Sequence, residues 1–76
     1  MLIEGNVYEG VSRLLKIGGA KKNLLMWQNI ESEKYGVHLY KRSPERWDED
    51  FLLYNYRKDY DEAEKIFEEV ERMITP

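Results

Sequence analysis

Two kinds of apolar pattern run along this chain. Near its end, Ala63, Ile66, Phe67, Val70, Met73 and Ile74 recur at the spacing of one stripe on a 3.6-residue helix. Asp59 stands before the stripe with Glu62 three positions on, the arrangement of a capping box with aspartate as the cap. Asp61 and Glu62 suit the positive end of the helix dipole, and Asp61–Lys65 and Glu68–Arg72 are acid-before-base pairs one turn apart. Pro76 lies past the end. The pattern predicts a helix over 60–75.

Upstream the pattern changes. Residues 51–58, Phe-Leu-Leu-Tyr-Asn-Tyr-Arg-Lys, are rich in rings and fit no helical stripe, so they predict a strand. Residues 35–42 and 23–30 predict two more. The polar link 31–34 has hairpin length, and the longer link 43–49 is punctuated by Pro44. At the front, Asn6 as a cap, Glu9 three residues on, a face of Val7, Val11, Leu14 and Leu15, and Gly18-Gly19 as a stop favour a helix. Gly10 weakens that helix, and a twisted strand or hairpin over 2–17 competes with it. The expected fold is α+β: a three-stranded antiparallel meander packed by a C-terminal amphipathic helix and an N-terminal helix, in the order α-β-β-β-α. With 76 residues, one small domain spanning 1–76 is expected.

Alternation along the strands sorts side chains between two sheet faces. One face takes Leu24, Met26, Ile30, Val37, Leu39, Phe51 and Leu53. The other takes Leu25, Trp27, His38, Tyr40, Arg42, Leu52, Tyr54 and Tyr56. One or two helices cannot cover both, so the ring-bearing face is the expected partner surface, with Trp27, Tyr40, Tyr54, Tyr56, Arg42 and Arg57 as its binding residues. The simplest partner is a second copy, giving a homo-oligomer. The competing reading folds the front as strands and curls the chain, so that the rings become core.

Composition narrows the chemistry. There is no cysteine and one histidine, which excludes disulfides, thiolate metal sites and multi-histidine zinc sites. His38 has no serine or cysteine nucleophile in a catalytic context around it. Gly18-Gly19-Ala20-Lys21-Lys22 lacks the Ser/Thr and following helix of a phosphate-binding loop, and Asp48-Glu49-Asp50 lacks the alternation of a calcium loop. No catalytic residue, metal or cofactor is expected. No apolar run reaches the roughly 20 residues of a membrane span, and the start lacks the basic-then-apolar order of a secretory leader. A cytoplasmic protein is therefore expected.

The net charge of -3 is uneven. Residues up to Pro44 carry seven Lys/Arg against four acids, and the remainder five against eleven. Rings alternating with Lys41, Arg42, Arg57 and Lys58 suit a nucleic acid or nucleotide ligand. The acidic helix, with Glu62, Glu64, Glu68, Glu69 and Glu71 toward its outer side, opposes that reading. It suits instead a basic site on another protein. In size and charge the chain resembles small inhibitors carried by phages or mobile elements. The function expected is non-enzymatic binding of a protein partner together with self-association, and the alternative is a nucleic-acid or nucleotide binder.

Overall fold

The computed structural model describes residues 2–49 and 51–75. Met1, Asp50 and Pro76 lie outside the described residues, so the placements of Pro76 beyond the helix and of Asp50 in the acidic run do too. The chain forms β1 (Val7–Tyr8), β2 (Ser12–Gly18), β3 (Leu24–Asn29), β4 (Lys34–Tyr40), β5 (Phe51–Arg57) and α1 (Tyr60–Ile74). The strands make one five-stranded antiparallel sheet in sequence order. The expected N-terminal helix is absent and the meander is longer by two strands, so the α-β-β-β-α order is corrected to β-β-β-β-β-α. The α+β character stands. No described helix is long and apolar enough to cross a membrane.

The front folds as a hairpin for a reason carried by Glu9 and Gly10. Both have positive φ, 53° and 74°, and Val11 N–H donates to Tyr8 C=O at 3.3 Å. Two successive left-handed residues closed by that bond make a type I′ turn, which matches the twist of the flanking strands. Gly10, a liability in a helix, is thus the residue that turns β1 into β2. Gly18 and Gly19 do not stop a helix either. Gly19, at φ 84°, opens the β2–β3 turn, and Gly18 closes β2.

β2 itself is irregular around the neighbouring Leu14 and Leu15, which a helix would have set on one face. The β2–β3 register slips between Leu14 and Lys16, leaving Leu15 as an extra residue. Leu14 pairs with Trp27 and Ile17 with Leu25, so residues three apart share one face, while Leu15 joins the core on the other. A bulge converts a period of two into a spacing of three.

α1 covers one face. Its residues Ala63 and Phe67 are buried against Leu24, Met26, Val37 and Leu39, with Leu15, Tyr35, Ile66, Val70 and Ile74 at the margins. Asp59 caps it by accepting from Asp61 N–H at 3.0 Å. Two acids expected on its outer side turn inward. Glu64 accepts from Lys16 Nζ at 2.6 Å, and Glu71 accepts from Gly19 N–H at 3.1 Å. Lys16 holds Glu64 below the usual carboxylate range, and the same bond raises Lys16. Asp61, Glu62, Glu68 and Glu69 remain exposed. Ile30, expected on the covered face, lies past the end of β3 and is exposed.

Gly18 is where the helix comes closest to β2. A Cβ added there would stand 2.5 Å from Glu71 Oε2 and 2.7 Å from Phe67 Cζ. Gly18→Ala therefore displaces a core ring and the carboxylate that holds the next turn. We expect a loss of about 1–3 kcal/mol, the usual cost of overpacking, with the fold retained. Urea denaturation at neutral pH, followed by circular dichroism, measures it.

Candidate functional site

The second face, opposite α1, has no helix. It is closed in part by irregular segments. Leu2 from the N-terminal arm joins Leu14, Leu25, Trp27 and Tyr40 in a buried cluster, with Tyr8, Ile17, Trp47 and Phe51 around it. Tyr8 meets Trp27 edge to face at 6.0 Å between ring centres, and its hydroxyl accepts from Ile3 N–H at 2.7 Å. The loop between β4 and β5 brings Trp47 over the face, where its indole N–H donates to Glu9.

Tyr40 is the hub. Its hydroxyl donates to Trp47 C=O at 2.8 Å and accepts from the Trp27 indole N–H at 3.1 Å. His38 Nδ1 lies 3.2 Å from the same oxygen, and His38 Nε2 lies 3.2 Å from the Tyr56 hydroxyl. These distances fix the tautomer. The one hydroxyl proton of Tyr40 goes to Trp47, so Tyr40 can only accept from His38, and the imidazole must carry its proton on Nδ1. Nε2 then accepts from the Tyr56 O–H. Gly36 makes room for this pair, since a Cβ there would stand 3.0 Å from both His38 Nε2 and the Tyr56 ring.

Rings continue from the hub to the sheet edge. Phe51 stands 4.7 Å from His38 and 5.1 Å from Tyr40; Tyr54 stands 5.8 Å from Phe51 and 5.6 Å from Tyr56. Two of these contacts are edge-to-face, a favoured arrangement for aromatic pairs, and two are tilted. Burial falls away along the series. Trp27, Tyr40 and His38 are buried, whereas Tyr54 is 59%, Leu52 57% and Tyr56 50% exposed.

The six expected binding residues therefore divide. Tyr54 and Tyr56 are surface rings on one face of β5. Trp27 and Tyr40 lie on that same face but are core, at 4% and 1% exposure. Arg42 is exposed beyond the end of β4. Arg57 pairs with Tyr35, which packs under the helix, so its side chain leaves on the opposite face from the rings and folds back to Tyr56 C=O at 2.8 Å. Sequence reasoning missed Phe51, placed on the wrong face, and Trp47, in a loop whose polar composition hides its role. The cause at Phe51 is a second bulge. Leu39 pairs with Leu53 but Tyr40 pairs with Phe51, so Leu52 is extra and Phe51 turns to the ring side.

A cavity of about 240 Å³ opens on this face beside Trp27, Lys34, His38, Trp47 and Tyr56. Ser12 and Asn29 also line it. Among the described residues no group of three or more His, Asp or Glu side chains is arranged to hold a metal ion.

Burial lowers His38 to about 4, far below its ordinary 6.5, because tyrosine and phenylalanine rings surround it and none offers a negative charge near neutrality. It is a poor general base at neutral pH and a neutral hydrogen-bond bridge instead. Unfolded protein binds the proton below 6.5, whereas folded protein resists it until about 4. Stability is thus full above pH 6.5 and falls as pH drops toward 4, by up to about 3 kcal/mol. Urea midpoints at pH 7 and pH 4.5 should show this loss, and His38→Gln should lower stability at pH 7 while flattening that part of the slope, so that the two forms converge toward pH 4.5. Comparison with protein-family models, curated proteins and solved structures finds no match to the chain.

Proposed function

We propose that the chain is a binding module for another protein and that its working surface is the exposed end of the ring series, Leu52, Tyr54 and Tyr56. One observation carries this reading. The rings are held from below by a hydrogen-bonded, buried network, yet half or more of each of these side chains faces solvent. Tyrosine supplies wide contact area at small entropic cost, and a ring already fixed loses still less on binding.

Charge favours protein over nucleic acid. Of the four basic residues expected to grip phosphates, Arg57 leaves on the helix side, and of the rings expected to stack on bases, Trp27 is buried. The exposed acids of α1, Asp61, Glu62, Glu68 and Glu69, repel a polyanion. They leave the inhibitor-like reading, in which the helix meets a basic protein surface, as a secondary contact of the same module. His38, neutral and enclosed by rings, supports binding over catalysis.

The test compares tagged wild type with the Leu52→Ser/Tyr54→Ser double variant in the source cell, neither side chain having a hydrogen bond within the described fold. Each captured protein is then titrated, purified, against both forms. A specific partner should bind the variant about 30-fold more weakly, corresponding to about 2 kcal/mol at a hot-spot ring. Equal affinity for both forms overturns the assignment of this surface. Binding of a short single-stranded oligonucleotide that depends on Tyr54 and weakens with salt replaces the protein reading with the nucleic-acid one.

A further inference from the structure

The two outer edges of the sheet are treated differently. At the β2 edge, the two-residue β1 pairs with Ser12 and Arg13. Beyond it the N-terminal arm continues the cover: Gly5 N–H donates to Leu14 C=O at 2.7 Å, Leu14 N–H to Asn6 C=O at 3.0 Å, and Ile17 N–H to the Glu4 carboxylate at 2.8 Å. At the other end, β5 pairs with β4 alone, and nothing among the described residues covers its far side except the Arg57 side chain on Tyr56 C=O.

The ladder shows which residues of β5 face outward. Tyr40 N–H donates to Asn23 C=O at 2.8 Å, so even-numbered residues of β4 aim their backbone groups at β3 and odd-numbered ones at β5. Tyr35, Val37 and Leu39 pair with Arg57, Asn55 and Leu53, which therefore turn back to β4. Tyr54 and Tyr56 present both their backbone groups to the outside. The same two residues carry the exposed rings.

We infer that β5 pairs edge to edge, antiparallel, with β5 of a second copy, joining two sheets into one. This rests on the proposed function above and supplies its assembled form. Three features choose this occupant. First, Phe51 to Tyr56 carries neither charge nor proline, the devices that usually keep an edge strand from pairing. Second, the ends of the strand are opposite in sign: Asp48, Glu49 and Asp50 precede it, and Arg57 and Lys58 end it. Antiparallel pairing of identical strands sets each basic end beside the other's acidic end, whereas parallel pairing sets like against like. With the two-fold axis at Tyr54, Tyr56 of each copy lies opposite Leu52 of the other. Third, the helices leave room. α1 rests on β3, β4 and β5, centred near β4. With strands about 4.8 Å apart, the axes of the two helices would stand about 14 Å apart, beyond the 8–10 Å of packed helices. Such a two-fold keeps both ring surfaces on one side, so Tyr54 and Tyr56 of both copies form a single platform for the protein partner.

Sedimentation equilibrium of the purified chain tests the pairing. Wild type should show twice the chain mass at micromolar concentration. Tyr54→Pro removes an outward N–H that β4 does not use and should leave a folded monomer, because an edge strand tolerates proline at such a position. Tyr54→Ser keeps the N–H and should remain a dimer. Lys58→Glu or Asp48→Lys alone should weaken the dimer, and the two together, at diagonal positions of the paired ends, should recover part of the loss. A monomeric wild type, or a Tyr54→Pro variant that stays dimeric, overturns the pairing. If Tyr54→Pro fails to fold, the charge exchange decides: singles and double of equal affinity refute the antiparallel contact. A monomer that still binds its partner through Leu52 and Tyr54 refutes only the pairing. A dimer whose partner binding ignores those rings refutes only the surface.

Discussion

This sheet has two apolar faces, and the described residues form one helix to cover them. The second face must be closed by segments with no regular structure, which bring backbone polar groups and ring hydroxyls down onto apolar surface. Tyr40 makes that possible. Its buried oxygen accepts from Trp27, accepts from His38 and donates to the backbone of the covering loop, which uses every hydrogen-bonding capacity it has. An unmet hydroxyl in that place would cost about 1–3 kcal/mol. Met as it is, the hydroxyl holds the loop onto the sheet, and burial accordingly pushes its ionisation well above the ordinary tyrosine range. The cover reaches as far as Leu2, Tyr8 and Trp47 reach. β5 lies beyond them, so the exposure of Tyr54 and Tyr56 follows from where the closure stops.

How much of this can be read from the sequence turns on two bulges. Where the strand period is kept, in residues 24–29 and 34–40, alternation assigned Leu24, Met26, Val37 and Leu39 to one face and Leu25, Trp27, His38 and Tyr40 to the other, as the structure has them. The C-terminal stripe and its Asp59 cap were equally plain, because a long periodic segment averages over many residues. Where one extra residue enters, at Leu15 and at Leu52, neighbours three apart share a face. The adjacent Leu14 and Leu15 suggested one face of an N-terminal helix, whereas the bulge sends them to opposite faces of the sheet, and the bulge at Leu52 is how Phe51 came to the wrong side. A bulge leaves no separate mark in a single sequence.

The candidate surface was legible to the same degree. That rings outnumber what the helix can hide follows from counting them on one face, and Tyr54 and Tyr56 do remain outside. That Trp27 and Tyr40 are core depends on a polar loop and a short arm, neither of which has a periodic pattern to show that Leu2, Pro44 and Trp47 fold inward. The orientation of Arg57 was recoverable, since an arginine next to Tyr56 in a strand must leave on the other face. The inward turn of Glu64 and Glu71 was not, because Lys16 and Gly19 meet them only after the sheet is formed.

The network beneath the surface matters to recognition as well as to stability. Tyr56 donates to His38, whose other nitrogen donates to Tyr40, whose hydroxyl grips the covering loop. Each bond constrains the orientation of the next donor, so Tyr56 is held in one rotamer by a chain that ends in the core. Tyr54 has no such bond and is held by ring contacts with Phe51, His38 and Tyr56. A free tyrosine side chain on a strand loses rotamer freedom when a partner fixes it, at about 0.5–1.5 kcal/mol. Here much of that loss is already incurred on folding, where the burial of Trp27, Tyr40 and Phe51 offsets it. Neutral His38 is the link on which this depends, because a charged imidazole would draw water into the ring cluster and loosen the rings from below. The depressed ionisation of His38 and the anchoring of the half-exposed Tyr56 therefore both follow from one buried, hydrogen-bonded ring cluster.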